Sequence, residues 1–365
     1  MLRGRVSVRC KKLNQERKLS IPVDLIRTVA IIAVIVLHAT REATAFQPAA
    51  PFEVWRWAFV DVYQSISRTG VPLFVMLSGA LLLQPSKDEP LRVFFKKRWA
   101  RIGLPFLFWG AAYFAWTFFT APEAFTSDYV IQGILTGPEF HFWYLYMLVG
   151  LYLFTPILRV VIAHADRKLL KYFVILWLLG AVIMPLPTLF GEYIFDVNVF
   201  IIPLWTGYFV LGTYLMSAQV RRKTLLTLLF LGLTLTAIGT YVMAATVGGT
   251  LTYFFQDYFS PTIILASVAL FLLLNTIQAP SNQTETRHPK IRLLLKTISQ
   301  NTLPIYLLHV MIIESIQRGY FGFTINSNTL NSIVGVPLIS VITLFICLGV
   351  ILPLKKIPGL RRLIG

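Results

Sequence analysis

The chain has little cysteine and little acid: 2 Cys in 365 residues, and 16 Asp and Glu against 33 Lys and Arg. Cys10 stands among basic residues and Cys347 inside an apolar run. The two cannot plausibly face each other, so neither a disulfide framework nor a cysteine-rich metal site is available. No metal and no tightly bound cofactor is expected. Repeats with a period of about 20 to 50 residues are also missing, which argues against a transporter built from inverted repeats. Charged residues make up only 13% of the chain, while 56% are hydrophobic and the mean hydropathy is +0.70. Soluble domains do not have this composition; membrane proteins do. The formal charge of +17 would suggest a nucleic-acid partner only if Lys and Arg formed a patch on a soluble face. They lie instead in short segments between apolar runs, so no nucleic-acid partner is expected.

What is present is a series of apolar runs. A hydrocarbon core roughly 30 Å thick requires about twenty apolar residues in a helix. Ten segments come close to this: 24–44, 66–84, 101–120, 141–163, 170–188, 199–217, 224–246, 260–278, 298–317 and 333–353. The predicted fold is an all-α integral membrane protein of about ten transmembrane helices. Basic tails at 1–19 and 355–365 flank one membrane domain at 20–354. The first tail carries Arg3, Arg5, Arg9, Lys11, Lys12, Arg17 and Lys18 with no small-residue cleavage pattern behind it, which reads as an uncleaved signal anchor. With the N-terminus cytoplasmic, Arg27 lies in the first span, and only Arg41, Arg56, Arg68 and Arg318 fall on the outer side. Every other Lys and Arg is in an inner tail or loop, as the positive-inside rule requires. Both termini are therefore placed in the cytoplasm, and the protein is placed in the plasma or inner membrane. The polar segment 279–297 reads as a cytoplasmic loop, where its Asn282 sequon would never be glycosylated.

Ionisable side chains inside a span are costly unless they face a polar interior, so each is a functional candidate. The first span holds Asp24, Arg27 and His38. Eleven residues of helix bring Arg27 and His38 to within about 20° of one face and about 16 Å apart along the axis. One polar stripe thus runs from the cytoplasmic end into the outer half of the membrane. The plainer reading is that Asp24 and Arg27 pair at i, i+3 and that His38 bonds a neighbouring helix.

Asp24-Leu25-Ile26-Arg27, ten further residues and then His38 resemble the first-helix signature of the acyltransferase 3 family. Four further stretches resemble this family in the expected order. They are Arg68 to Gly79 (RTGVPLFVMLSG), Lys96 to Pro105 (KKRWARIGLP), His141-Phe142-Trp143-Tyr144-Leu145 and Asn301 to His309 (NTLPIYLLH). The resemblance spans residues 20 to 310 and implies a membrane-embedded transferase that uses cytoplasmic acyl-CoA. The acceptor it implies is a hydroxyl of a glycan, a lipid-linked sugar or another surface molecule, with membrane lipids as the remaining partners.

The residues suit that chemistry. A histidine with a pKa near neutrality can take the proton of an attacking hydroxyl, or can itself carry the acyl group. His38 is the candidate for either role, and both remain open. Glu139 can hold His38 in one tautomer, or it can simply be solvated. Arg68 can stabilise an oxyanion or meet a phosphate on the acceptor, or it can snorkel to the interface. The phosphates of CoA call for cations, and Arg27 with Asp24, Arg98 and Arg101 are the candidates. Lys96 and Lys97 read better as lipid anchors. Ser78, His141, Trp143, Tyr306 and His309 are possible pore residues. The main alternative is a transporter or flippase for a lipid-linked or polymeric glycan. Against it, phosphate-type cations gather inside and a lone histidine lies farther out. A member of the unrelated membrane O-acyltransferase superfamily would need its histidine deep in the C-terminal half.

Overall fold

The computed structural model describes residues 22–41, 51–84, 89–183, 201–247, 249–277, 289–326 and 329–365. The basic tail at 1–19 with Cys10, the Asn282 sequon, the side chain of Arg56 and parts of several predicted spans lie outside the described residues. Among the described residues every regular element is a helix. In chain order they are α1 (Val23–Ala39), α2 (Pro51–Ser67), α3 (Gly70–Leu82), α4 (Leu91–Arg98), α5 (Leu104–Thr120), α6 (Ser127–Thr136), α7 (Trp143–His164) and α8 (Arg167–Ile183). They continue with α9 (Ile201–Leu215), α10 (Arg222–Thr246), α11 (Pro261–Asn275), α12 (Pro289–Gln300), α13 (Thr302–Gln317), α14 (Ser332–Leu354) and the short α15 (Leu360–Ile364).

Among the described residues six helical stretches are long and apolar enough to cross a membrane: Trp57–Leu82, Leu91–Thr120, Ser127–His164, Arg222–Thr246, Tyr253–Asn275 and Ser332–Leu354; Thr302–Gln317 is a shorter apolar helix. Their outward faces are apolar. Leu107, Leu153, Phe230, Ile238, Val341 and Phe345 are all exposed, an arrangement unfavourable in water and suited to hydrocarbon.

α1 lies at the centre. It packs against α2, α3, α11, α12, α13 and α14, and Ile26, Ala30, Ile31, Val34 and Ile35 are at most 1% exposed. Lipid tails are as apolar as leucine, so helices in a bilayer associate by close backbone approach rather than by hydrophobic segregation. Glycines permit that approach between α3 and α9. A Cβ on Gly79 would run into the Phe209 carbonyl, and one on Gly212 into that of Met76.

Several boundaries differ from those predicted. The second span begins well before 66, because α2 leads into α3 through a break at Arg68 and Thr69; the charges of 51–67 had masked this helix. The third helical stretch begins at Leu91 rather than 101 and passes through a π turn at Trp99–Gly103, where Leu104 N–H reaches back to the Trp99 carbonyl. Pro105 has no N–H to donate to residue 101, so the chain widens its turn at that point. The end of the supposed loop 279–297 is helical from Pro289 onward. α12 is amphipathic and lies along α1, where Thr28 Oγ1 donates to Leu295 O at 3.2 Å. Pro304 prevents α12 from running on into α13, so the chain breaks at Asn301. The tail 355–365 also contains structure, since α15 docks against α5.

Candidate active site

Three histidines from three helical segments meet beside the C-terminal end of α1. His38 comes from the last turn of α1, His141 from the 3-10 turn Phe140–Phe142 that precedes α7, and His309 from the middle of α13. The His38 and His309 ring centroids are 4.8 Å apart with an interplanar angle of 19°. His141 is centred 5.4 Å from His309 and 6.3 Å from His38. His141 and His309 are fully buried, whereas His38 retains accessible surface.

The hydrogen bonds fix the tautomers. His309 Nδ1 is 2.6 Å from the Tyr306 carbonyl. A carbonyl only accepts, so Nδ1 carries the proton and Nε2 of the neutral ring is bare. That bare nitrogen lies 2.5 Å from His38 Nδ1, which must therefore be the donor. Nε2 of His38 is left with a free lone pair, on the one ring of the three that is accessible. Among the described residues neither ring nitrogen of His141 meets a partner in good hydrogen-bond geometry, with the Leu307 backbone close by.

Tyr113 supports this arrangement. Its hydroxyl donates to Leu307 O at 2.9 Å and accepts from Met311 N–H at 3.2 Å. A side chain from α5 is thus built into the α13 turn that carries His309. The tyrosine is fully buried, and its ring stands 5.3 Å from that of His141. Nothing in the spacing of the sequence marks Tyr113, whose partners lie 194 and 198 residues away.

Toward the Arg27 end of α1 lies a cavity of about 290 Å³ whose lining includes Arg27, Ser78, Arg98, Arg101, Tyr144, Tyr152, Tyr306 and Gly365. The structure therefore brings Arg27, Arg98 and Arg101 together and joins Ser78 and Tyr306 to them. Asp24 is exposed and does not line the cavity, although it lies within electrostatic reach of Arg27. Lys97 is paired with Glu89 at 2.6 Å, and Glu89 also meets Arg159 at 3.5 Å. The hydrogen bond from Lys97 holds the Glu89 carboxyl below its ordinary range. His38 does not line this cavity. Between the two lie Tyr144 and Tyr306, whose rings are 5.2 Å apart. The Tyr306 hydroxyl donates to His141 O at 2.5 Å, and its ring is 5.6 Å from His309.

The remaining candidates lie around the histidine end of the bundle. Phe140 meets His38 edge-on at 5.0 Å and carries the Arg41 guanidinium at 3.7 Å. Glu139 precedes Phe140 within electrostatic reach of Glu314, Arg41 and Arg318. The partner that sets the His38 tautomer is His309, not Glu139. Trp143 packs on Trp205 and Tyr258 at 5.6 and 5.9 Å, and Arg68 lies over the Tyr258 ring at 5.1 Å.

A family described as an acyltransferase domain matches residues 22–352. The chain belongs to the acyltransferase 3 family. The match covers nearly the whole sequence and every described helix from α1 into α14, including all three histidines and the arginine-lined cavity. No curated protein and no solved structure matches the chain. Family membership and the apolar helices together make it a multi-pass membrane acyltransferase.

Proposed function

We propose that this acyltransferase moves an acetyl or similar short acyl group from cytoplasmic acyl-CoA to a hydroxyl of an extracytoplasmic glycan or other surface molecule. In this reading the protein spans the plasma membrane ten times with both termini in the cytoplasm. The observation that carries the reading is a histidine pair whose accessible ring keeps a free Nε2 lone pair, with an arginine-lined cavity toward the other end of α1; in this reading that cavity opens to the cytoplasm, where CoA is found. The pantetheine arm would rise from that cavity past Tyr144 and Tyr306 to bring the thioester to His38.

His38 Nε2 takes the proton of the acceptor hydroxyl as the oxygen attacks the thioester carbonyl, and the thiolate of CoA leaves and is protonated. The developing imidazolium keeps its Nδ1–H directed at His309, whose own Nδ1–H is held by Tyr306 O. The same lone pair suits a covalent route, in which His38 first receives the acyl group and then yields it to the acceptor. Arg98 and Arg101 bind donor phosphate, with Arg27 deeper in the cavity.

The test is incubation of purified protein in detergent with labelled acetyl-CoA and surface glycan. Covalent label in the glycan without any membrane gradient is the expected result, because a flippase would leave the glycan unlabelled. His38→Ala is expected to insert and accumulate normally and to transfer nothing; transfer retained in that variant overturns the assignment.

A further inference from the structure

Arg361 and Arg362, which the scheme above leaves without a role, stand in a cleft beside the donor cavity. They belong to α15, which is firmly docked. Ile364 is fully buried, Trp109 Nε1 donates to its carbonyl at 3.3 Å, and Gly365 stands against Pro105, Leu303 and Pro304. The two arginines are exposed and line an open cleft together with Ala100, Arg101 and Gly365. Arg101 and Gly365 also line the inner cavity, so the cleft adjoins the cavity at these two residues. Neither is lined by an Asp or Glu among the described residues.

Size divides the work between them. At about 290 Å³ the inner cavity lies at the bottom of the usual range for ligand pockets, roughly 300–1,000 Å³. It can take a slim arm but not a nucleotide as well. The nucleotide of a donor seated there must lie outside, in the cleft. Guanidinium groups are the side chains best matched to phosphate oxygens, through paired N–H donors.

We propose that Arg361 and Arg362, with Arg101, bind the phosphomonoester on the nucleotide end of the acyl donor, the ribose 3′-phosphate of CoA. The site rests on the acyl-CoA reading above. The same guanidinium chemistry would also bind an anionic lipid headgroup, so the experiment must separate the two sources.

The probes are adenosine 3′,5′-bisphosphate and 5′-AMP, titrated against the full protein in nanodiscs of phosphatidylcholine alone and with phosphatidylglycerol. The wild type is expected to prefer the bisphosphate by about tenfold or more, the size of one charge-assisted hydrogen-bonded contact, in neutral and anionic discs alike. Arg361→Gln with Arg362→Gln should abolish the preference, and the Lys pair should keep part of it. In turnover, the Gln pair should raise KM for acetyl-CoA by a similar factor of about ten with kcat nearly unchanged, and should no longer distinguish acetyl-CoA from its 3′-dephospho form. A bisphosphate preference untouched by the Gln pair overturns the site, as does an effect seen only with phosphatidylglycerol. Should the Gln pair fail to accumulate, indifference of the wild type to the ribose phosphate is the overturning result. Arginine-dependent bisphosphate binding without any acyl transfer would overturn the donor reaction and leave the phosphate site standing. Transfer with arginine-independent binding would do the reverse.

Discussion

At the scale of single residues, the free lone pair on His38 depends on a chain of donors that ends at a backbone carbonyl. His309→Phe preserves an aromatic ring but removes the acceptor for His38 Nδ1–H, so the proton is free to move to Nε2. We expect kcat to fall by about 10² or more, the low end of what a correctly placed general base contributes, with KM for acyl-CoA little changed; kcat within a factor of about two of wild type would remove His309 from the positioning role. Glu139→Gln should cost less, because no hydrogen bond joins Glu139 to His38. Tyr113→Phe leaves Met311 N–H and Leu307 O without their buried partner, and orphaned buried groups of this kind cost about 1–3 kcal/mol. A lower melting temperature with a partial loss of kcat is expected in detergent; an unchanged melting temperature would mean that the α13 turn closes without the tyrosine. Arg27 and His38 were legible in the sequence because a charged or titratable side chain stands out in an apolar run. The bond between His38 and His309 was not, because its two ends are 271 residues apart and nothing local records the pairing. His309 therefore looked like an ordinary pore residue until the fold brought α13 beside α1.

At the scale of elements, apolar periodicity revealed the long helices, and the misses fall where polarity and helix coincide. α2 carries Glu53, Arg56 and Asp61, so a hydropathy window rejects it, yet Asp61 is 4% exposed and accepts from Gln256 Nε2 at 2.6 Å inside the bundle. α12 reads as a loop because Lys290, Arg292 and Lys296 interrupt its apolar residues, although it packs along α1. Glycine contacts are illegible for a different reason: whether a glycine is tolerated or required depends on what faces it. Gly79 meets the backbone of α9, while Gly349 on α14 faces open space. Gly79→Ala should force α3 and α9 apart and lower the melting temperature of the purified protein by several degrees, because close-packed interiors cannot absorb an added methyl at backbone contact. Gly349→Ala should leave it unchanged. Equal melting temperatures for the two variants would refute the close-contact account of this interface.

At the scale of the whole molecule, the reading depends on the two ends of α1 facing different compartments. The arginine-lined cavity must be open to cytoplasmic CoA while His38 meets an acceptor from outside. Charge asymmetry along the chain predicts this arrangement, and it can be tested without any activity assay. In a background with Cys10 and Cys347 replaced by serine, a single cysteine is placed at Lys223, where α10 begins, or at Asp128, at the start of α6. A membrane-impermeant maleimide applied to intact cells should label the cysteine at 128 and reach the one at 223 only after the membrane is opened, because an odd number of spans separates the two positions in the ten-span topology. Labelling of both from the outside would remove one crossing between them. Reversed labelling would place Arg27, Arg98 and Arg101 on the outer face, where cytoplasmic acyl-CoA could not reach them. Donor kinetics bear on the same geometry. Arg98→Ala and Arg101→Ala should each raise KM for acyl-CoA by about tenfold while rates recover at high donor, as expected when a charge-assisted phosphate contact is removed from ground state and transition state equally. If the donor dependence is unchanged, these arginines serve only as lipid anchors, and the cavity between α1, α4, α7 and α13 needs another occupant.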